Sequence, residues 1–432
     1  MLGRLLTICS FLTVVLIVGG ASAQEKSWFA ALKIESGFLQ ADLEGSWAVH
    51  QVSIAGGKTS WEFGELEIAA DGTVAGGSTS GSTGRSRTFS DGRLSLNPSG
   101  QIRGDFRVSE GSLDLAFTIE EGQLQGKRSG GTTTLKDIAI LAAACAECTP
   151  NQSALLLLTR RQGTFATADL FGGWRIYNLR FENDTNELTW EFGPVNLLDN
   201  GTLNADDLLN NFLQDPFGNQ RQITEASLTV LSDDGEVAGT LKAGRNDERV
   251  DSFTDGILSP DKNRITAVLE SDDSERLLSI WIKTSGSVVF STAQDLVGFW
   301  RLFGLGFESP PGEVFVSFGD LNVETPSGSG PAASITGGSL ANADTKAVVI
   351  VGDDLSLNDI GRLRGTIASR SDKIVIESDP RNTVREDGRM DLQKVSLTFV
   401  GDGFIVGEAR EPDTPDEEPA ESCFISVAGG QR

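Results

Sequence analysis

Apolar and polar residues alternate in short runs along most of the chain, as in Leu113–Ile119 and Val395–Phe399. Neighbouring side chains of a β-strand point to opposite faces, so this period of two predicts strands with one buried face. Turn residues interrupt the runs about every 8–12 residues, which is the spacing of all-β proteins. The pattern predicts an all-β fold of short antiparallel strands in meander order, about eight to ten in each structural unit.

A glycine signature marks many of the predicted turns. It reads Gly-x-apolar-x-Gly and occurs at Gly72–Gly76, Gly100–Gly104, Gly122–Gly126, Gly235–Gly239, Gly361–Gly365 and Gly403–Gly407. Most copies follow Asp, Ser or Glu, and Asp-Gly between apolar runs predicts a hairpin because Gly accepts the positive φ of tight turns. The second Gly lies inside the outgoing strand and predicts a bulge or a close approach of two backbones.

A hexamer of the form Asp-Leu-x-Gly-x-Trp occurs three times, at Asp42–Trp47, Asp169–Trp174 and Asp295–Trp300. The interval of about 126 residues lets each unit bury its own core and is much longer than a solenoid repeat. A second signature follows the first at Trp61–Gly64 and Trp190–Gly193, where it reads Trp-Glu-Phe-Gly. In the third unit this signature has become Val-Ser-Phe-Gly. The repeats predict three similar domains in tandem.

The predicted domains span residues 42–165, 169–290 and 295–432, after a lead-in strand within residues 24–41. We expect the lead-in strand to pair with the first domain. In the third domain, the acidic, proline-rich residues 411–421 are expected to form an exposed loop, and Cys423–Val427 to form the closing strand. Two segments of the other domains are less regular. Asn204–Gln214 is predicted as a helix that Pro216 ends, and Leu135–Cys148 fits either a helix or a strand.

Each repeat opens on a Gly-x-Trp motif, formed by Gly45 and Trp47, by Gly172 and Trp174, and by Gly298 and Trp300. Gly-x-Trp at the start of a first strand, followed by an antiparallel meander, resembles the lipocalin-like (calycin) up-and-down β-barrels. The resemblance implies that each of these tryptophans lies at the closed end of a barrel. β-Sandwiches are the alternative architecture, because their strand patterns are alike.

The first 23 residues have the layout of a secretory signal peptide, with Arg4, an apolar run over Leu5–Val18 and a small-residue site at Ala21–Ala23. We expect a mature chain that begins at Gln24, is secreted or periplasmic, and has no membrane span after signal cleavage. The formal net charge of the whole sequence is −25. This acidity argues against a nucleic-acid partner, which usually requires basic patches.

The aromatic and cysteine residues are expected to be structural. Large aromatic side chains supply much of the apolar area of a small core, and the predicted core tryptophans are Trp47, Trp174, Trp300, Trp61 and Trp190. In an oxidising compartment Cys145 and Cys148 can form a local disulfide, or either of them can bond to Cys423.

His50 is the single histidine of the sequence, which excludes a two-histidine metal site. The matching positions of the other repeats hold Tyr177 and Phe303, which indicates a packing role. We predict no catalytic residue, no metal site and no cofactor. Asn183–Glu187 and Asp199–Gly201 are faint candidates for a calcium loop.

These features favour a non-enzymatic binding or scaffold protein that acts through exposed loops, because function is carried by loops more often than by cores. The sequence does not identify its extracytoplasmic ligand or protein partner. One alternative is a carrier of a small apolar ligand inside a barrel. Another is a polysaccharide-active enzyme, which would need carboxylates that converge in one unit.

Overall fold

The structure of the chain is a computed structural model. It describes residues 26–56, 58–81, 84–129, 132–181, 188–215, 219–244, 249–272, 275–284, 297–307, 314–325, 333–342, 348–357, 362–371, 391–400 and 404–410. Nearly all regular structure in these segments is strand, and the all-β prediction is confirmed. Over the same residues, no helix is both long and apolar enough to cross a membrane.

The strands are numbered in chain order. The first eleven are β1 (Lys26–Lys33), β2 (Gly45–Ala55), β3 (Lys58–Ile68), β4 (Val74–Gly81), β5 (Ser86–Leu96), β6 (Ile102–Glu110), β7 (Leu113–Leu124), β8 (Lys127–Ser129), β9 (Thr132–Leu135), β10 (Ile138–Cys145) and β11 (Gln152–Arg160). The next eight are β12 (Gly172–Phe181), β13 (Leu188–Leu197), β14 (Phe212–Gln214), β15 (Gln220–Val230), β16 (Val237–Ala243), β17 (Arg249–Leu258), β18 (Arg264–Ser271) and β19 (Arg276–Lys283). The last seven are β20 (Gly298–Phe307), β21 (Val314–Glu324), β22 (Ala333–Asn342), β23 (Val348–Leu357), β24 (Arg362–Ser371), β25 (Asp391–Val400) and β26 (Phe404–Arg410).

These strands form two closed antiparallel barrels and a third sheet. Barrel 1 contains β2–β7, β10 and β11, and β8 and β9 form a small hairpin beside it. Barrel 2 contains β12–β19. Sheet 3 contains β20–β26 together with β1, which pairs with β20 on one side and with β26 on the other. The first two repeats are therefore barrels and not sandwiches.

β1 lies in a different sheet from the expected one. We predicted that the lead-in strand pairs with the first domain, but its partners are β20 and β26 of the third repeat. These two strands are the edges that the meander of that repeat leaves open, and an open edge needs a partner for its backbone groups. β1 occupies the place that we assigned to Cys423–Val427, which lies outside the described residues, as does the predicted loop 411–421.

Apolar side chains form three clusters. One fills barrel 1 around Trp47, and another fills barrel 2 around Trp174. The third, the central cluster, lies between the sheets and contains residues from both barrels and from sheet 3. Its buried members are Ala30, Leu32, Val52, Ile54, Trp61, Ile138, Ile140, Ala142, Leu155, Leu157, Tyr177, Leu179, Trp190, Val268, Leu278, Ile280, Ile282, Phe303, Leu305, Val314 and Val316.

Strands beside the central cluster are apolar on both faces because they serve two clusters. In β11, Leu156 and Leu158 point into barrel 1, whereas Leu155 and Leu157 belong to the central cluster. Burial of apolar surface contributes roughly 25 cal/mol per Å² to stability. The outer faces of these strands therefore hold the two barrels and sheet 3 together side by side.

Two segments with uncertain or helical predictions take the conformation that their sheet requires. Leu135–Cys148 contains strand β10 and no helix, because its alternate apolar residues serve barrel 1 and the central cluster. The helix predicted over Asn204–Gln214 is wrong. The chain makes a short 3-10 helix at Ala205–Asn210 and then extends as β14, which carries the barrel from β13 to β15. Leu213 is buried in barrel 2 as part of this strand.

The glycine signature behaves as predicted in the hairpin that joins β15 to β16. Gly235 lies in the turn and has a φ of +83°, in the left-handed region that favours glycine. Gly239 has a φ of +142°, and a Cβ placed on it would lie 2.0 Å from the carbonyl oxygen of Ser227. The first glycine therefore serves the turn, and the second allows two backbones to approach closely.

Candidate functional site

The Trp-Glu-Phe-Gly signature sends its tryptophan and its glutamate to opposite faces of a strand. Trp190 belongs to the central cluster outside barrel 2, so the adjacent Glu191 points into the barrel. Trp61 and Glu62 hold the same places in barrel 1. Both glutamates are buried. They define the candidate site, which is the polar half of each barrel interior.

The first strand of each barrel shows how its interior changes from apolar to polar. From the end where the strand begins, the inward residues of β12 are Trp174, Ile176, Asn178 and Arg180. The matching residues of β2 are Trp47, Val49, Gln51 and Ser53. In both barrels the first two positions are apolar and the last two are polar, and all eight side chains are buried. One end of each barrel is thus closed by apolar packing and the other by hydrogen bonds.

A cluster of charged side chains fills the polar half of barrel 2. Arg249 donates from Nη1 to Glu191 Oε1 at 3.1 Å and from Nη2 to Oε2 at 2.7 Å. The same guanidinium donates from Nε to Asp251 Oδ2 at 3.1 Å. Arg180 Nη2 lies 3.4 Å from Glu191 Oε1, and Arg180 Nη1 binds Glu275. Because β13 and β17 are not neighbours in the sheet, the pairing of Glu191 with Arg249 crosses the barrel interior.

Burial controls the electrostatics of this cluster. Loss of hydration raises the pKa of Glu191 above its usual value, and the nearby charge of Arg180 acts against that rise. Paired buried charges gain little net stability, but a charge left without its partner is costly. The cluster therefore holds together as a unit, in which each carboxylate depends on an arginine.

Barrel 1 carries a smaller network of the same kind. Thr79 Oγ1 donates to Glu62 Oε2 at 2.8 Å, and Arg87 Nη1 donates to Glu62 Oε1 at 2.5 Å. Arg87 Nε also donates to Glu110 Oε2 at 2.9 Å, while Arg85 Nη1 binds Glu110 Oε1 at 2.8 Å. Burial raises the pKa of Glu62, and the charge of Arg87 opposes the rise.

The carboxylates of both networks are paired within their own barrels. Both oxygens of Glu62 and of Glu191 accept hydrogen bonds from side chains of the same barrel. Sheet 3 differs, because Ser317 stands where the barrels have glutamate, and Gly304 and Gly306 hold the inward positions of β20 that are polar in β2 and β12.

The five tryptophans predicted for the core are all buried, in two different settings. Trp61 and Trp190 lie outside their barrels, in the central cluster. Trp47 and Trp174 lie inside, and their indole Nε1 atoms donate to the carbonyl oxygens of Leu43 at 2.9 Å and of Leu170 at 2.7 Å. Trp300 is the third residue of the matching strand, β20 of sheet 3. In the first two copies, the hexamer therefore fixes its own tryptophan through the carbonyl of its leucine.

A basic residue covers each tryptophan of the hexamer. The distances to the ring centroid are 4.3 Å for Arg160 Cζ over Trp47, 5.3 Å for Lys283 Nζ over Trp174 and 5.8 Å for Lys33 Nζ over Trp300. Each basic residue is also the partner of its tryptophan in the strand register. The register therefore gives β1 the same place in sheet 3 that β11 has in barrel 1 and β19 has in barrel 2.

His50 lies at the junction of the two barrels. It is fully buried, and its Nε2 atom is 3.4 Å from Asp255 Oδ2 of β17. The equivalent Tyr177 and Phe303 are both in the central cluster, so the shared position faces neighbouring sheets in all three repeats. Further contacts cross the same junction, because Arg264 Nη2 donates to Gln125 Oε1 at 2.9 Å.

The structure describes some of the cysteine and calcium-loop candidates and not others. Cys145 and Cys148 form a disulfide with each other, while Cys423 lies outside the described residues. Asn183–Glu187 also lies outside them. Asp199–Gly201 is a turn in which Asn200 Oδ1 accepts from the Thr202 backbone nitrogen at 3.1 Å. In the part of the chain that the structure describes, no three His, Cys, Asp or Glu side chains lie close enough to hold a metal ion.

Sequence reasoning missed the arginines of both networks and the whole central cluster. A signal for the first was available, because Glu62 and Glu191 repeat between two apolar residues on a strand with one buried face. Such a glutamate either faces solvent or lies inside with a cation, and its tryptophan neighbour faces the other way. A signal for the second was the unbroken apolar run of β11, which is too long for a strand with one exposed face.

Comparisons with known proteins identify no family. No protein-family model and no curated protein matches the chain. The chain is similar to a solved structure from Bacteroides fragilis NCTC 9343, provisionally titled as an outer membrane protein, at 10% identity over 87% of this chain and 100% of that one, with a TM-score of 0.18. It is also similar to transferrin binding protein B, in a tryptophan-to-alanine mutant from Haemophilus parasuis Hp5, at 10% identity over 91% and 77% of the two chains, with a TM-score of 0.22. At these scores neither likeness carries an argument.

Proposed function

We propose that the chain is an extracytoplasmic, non-enzymatic binding or scaffold protein built of three lipocalin-like barrels. The observation that carries this proposal is the closure of barrels 1 and 2 by their own side chains. Glu62 and Glu191 are bound by arginines from across the interior, and apolar clusters fill the rest. Contact with a partner then falls to the outer loops, as in many rigid β scaffolds.

The third barrel of this proposal rests on sheet 3. β1 pairs with both β20 and β26, and Lys33 covers Trp300 as Arg160 covers Trp47. The signal-like segment at residues 1–23 supports export, and the local disulfide suits an oxidising compartment. The acidic surface favours a partner with complementary basic groups, because opposite potentials steer association.

The test is photo-crosslinking of the full chain in its own host. A photoreactive amino acid replaces Asp233, at the exposed turn between β15 and β16, and in a second variant Ser112, at the turn between β6 and β7. The two turns lie at opposite ends of their barrels. A protein or glycan adduct specific to one turn is the expected result. Substrate turnover by the purified chain, or the absence of adducts from loop positions throughout the protein, would contradict the proposal.

A carrier role is a second candidate for sheet 3 alone. Its inward positions Gly304, Gly306 and Ser317 are small where barrels 1 and 2 have polar side chains. Native mass spectrometry of the full chain checks this candidate through the mass of any bound small molecule. Ser317→Glu and the exposed-surface variant Thr336→Glu separate the interior from the surface, because only the former is expected to displace an interior ligand.

A further inference from the structure

Each closing strand of this protein belongs to one sheet and leads into the next. β11 completes barrel 1 and continues to β12 of barrel 2, and β19 completes barrel 2 and continues to β20 of sheet 3. β1 completes sheet 3 and continues to β2 of barrel 1. At all three junctions, the last strand to complete one sheet is followed along the chain by the first strand of the next sheet. Because β1 completes sheet 3 and precedes β2, the order of the three sheets is circular.

The junction after β1 copies the junction after β11. Lys33 precedes Gly45 by the same interval as Arg160 precedes Gly172, and each interval contains one 3-10 helix, at Gln40–Leu43 and Thr167–Leu170. β1 differs in its covalent connection. β11 and β19 follow their neighbouring strands β10 and β18 through short turns, whereas β1 is separated from β20 and β26 by both barrels. β1 is therefore kept in sheet 3 by non-covalent contacts, among them its backbone pairing with both strands.

A short hinge connects β1 to barrel 1. The Ile34 nitrogen donates to Phe299 O at 2.8 Å on sheet 3, and the Gly37 nitrogen donates to Pro98 O at 2.8 Å on barrel 1. Phe38 is already buried in the apolar cluster of barrel 1. The two anchors leave only Glu35 and Ser36 between them. Short hinges favour exchange of the attached element between copies of a chain.

We propose that β1 is an exchangeable strand, and that copies of this chain associate head to tail when β1 of one copy completes sheet 3 of the next. The partner is a second copy because only its β1 reproduces the full register with β20 and β26 and brings the same Lys33 to Trp300. Contacts of this head-to-tail kind give a ring when they close within one molecule and an open assembly when they do not. The monomer is the closed form, and the oligomer has the same contacts between molecules.

The test uses a cysteine pair across the joint in the full chain, with Cys423→Ser as background. Ala31→Cys and Leu302→Cys stand opposite each other in the β1–β20 register. The matched control is Val49→Cys with Leu158→Cys, the equivalent pair between β2 and β11. Both proteins are unfolded, refolded at low and at high concentration, oxidised and separated without reductant.

Mass action sets the expected result. The β1 pair gives covalent dimers and larger species, whose fraction rises about tenfold between about 1 and about 100 µM chain, whereas the β11 pair gives monomers at both concentrations. Excess peptide of residues 26–33 lowers the dimer fraction. Monomers alone from the β1 pair, or equal ladders from both pairs, would overturn the proposal.

A second variant keeps the test independent of introduced cysteines. A Gly-Ser insertion between Ser36 and Gly37 lengthens the hinge and leaves β1 intact, so it favours closure within one chain. Light scattering after refolding at high concentration is expected to show dimer for the wild-type chain and several-fold less for the insertion variant. A wild-type chain that stays monomeric, or an insertion variant that dimerises as much, would contradict strand exchange.

Discussion

At the scale of single residues, stability depends on whether buried charges keep their partners. Arg249→Met removes the cation that binds both Glu191 and Asp251, so two buried carboxylates lose a counterion. We expect the free energy of unfolding to fall by about 3–5 kcal/mol, as for other broken buried pairs. Urea denaturation measures the loss. The control is Lys242→Met, which breaks the more exposed pair with Glu225 and should cost less than about 1 kcal/mol.

The outcome separates two interpretations of the same cluster. If Arg249→Met and Lys242→Met cost equally little, the interior charges are hydrated, and the closure of barrel 2 by its own side chains is wrong. A large loss for Arg249→Met alone supports the closed interior.

Asp137 gives a residue-scale prediction that depends on pH. Burial and the nearby charge of Asp261 raise its folded-state pKa above the ordinary 3.8, although Arg264 and Arg160 act against the rise. The folded state then binds this proton more tightly than the unfolded state, so the contribution of Asp137 to stability falls as pH rises from 3.8 through the folded pKa. Asp137→Asn lacks this titration. Its stability relative to wild type should therefore increase with pH across that window and level off above it.

Denaturant unfolding of both proteins between about pH 3.5 and about pH 7 checks this difference. Asp233→Asn, which removes a charge from an exposed turn, is the matched control. A stability difference for Asp137→Asn that stays constant or declines with rising pH would show that the carboxyl is not penalised by burial.

At the scale of secondary-structure elements, the hairpin glycines divide into those for the turn and those for backbone contact. A Cβ at Gly239 would lie 2.0 Å from Ser227 O, whereas at Gly111 it would meet nothing within 4 Å, although that glycine also has a positive φ. Gly239→Ala should cost about 3 kcal/mol from overpacking and strain, and Gly111→Ala about 1 kcal/mol from strain alone. Thermal or urea unfolding compares the two. Equal losses would mean that the close approach is relieved by small shifts.

Elements with a local signal were predictable from the sequence, and elements defined by distant partners were not. The alternation in Leu113–Ile119 and the glycines at Gly235–Gly239 report on their own strand and turn, and the structure has both. Asn204–Gln214 has helical spacing, but the need of β13 and β15 for a connecting strand prevails. β1 is a strand as predicted, yet nothing within Lys26–Lys33 indicates that its partners β20 and β26 come about 270 and about 380 residues later.

The candidate site was predictable only in part for the same reason. Glu62 and Glu191 are visible in a repeated signature, but the arginines that bind them stand on other strands at spacings that differ between barrels. The arginine that binds Glu62 is Arg87 on β5, two strands after the strand of the glutamate. The arginine that binds both oxygens of Glu191 is Arg249 on β17, four strands after it. Burial of a glutamate can thus be inferred from its apolar neighbours, while its partner depends on how the barrel closes.

At the scale of the whole molecule, the central cluster makes three sheets into one body. Leu156 and Leu157 are neighbours on β11, both buried, but Leu156 lies inside barrel 1 and Leu157 lies in the central cluster. β11 also lies against β21 of sheet 3. Either Leu→Ala change should cost about 2–5 kcal/mol, because each leaves a cavity. The two changes are expected to destabilise different parts of the molecule.

Hydrogen exchange followed by mass spectrometry locates the loss. Leu156→Ala is expected to speed exchange in the strands of barrel 1 and to leave β21 as protected as in the wild type. Leu157→Ala should speed exchange in β21 as well, since the cavity opens on the surface that the sheets share. Each variant serves as the control for the other, because the strand, the residue type and the size of the change are the same. If β21 responds equally to both, the sheets are coupled through the backbone of β11 and not through the side chains of the central cluster.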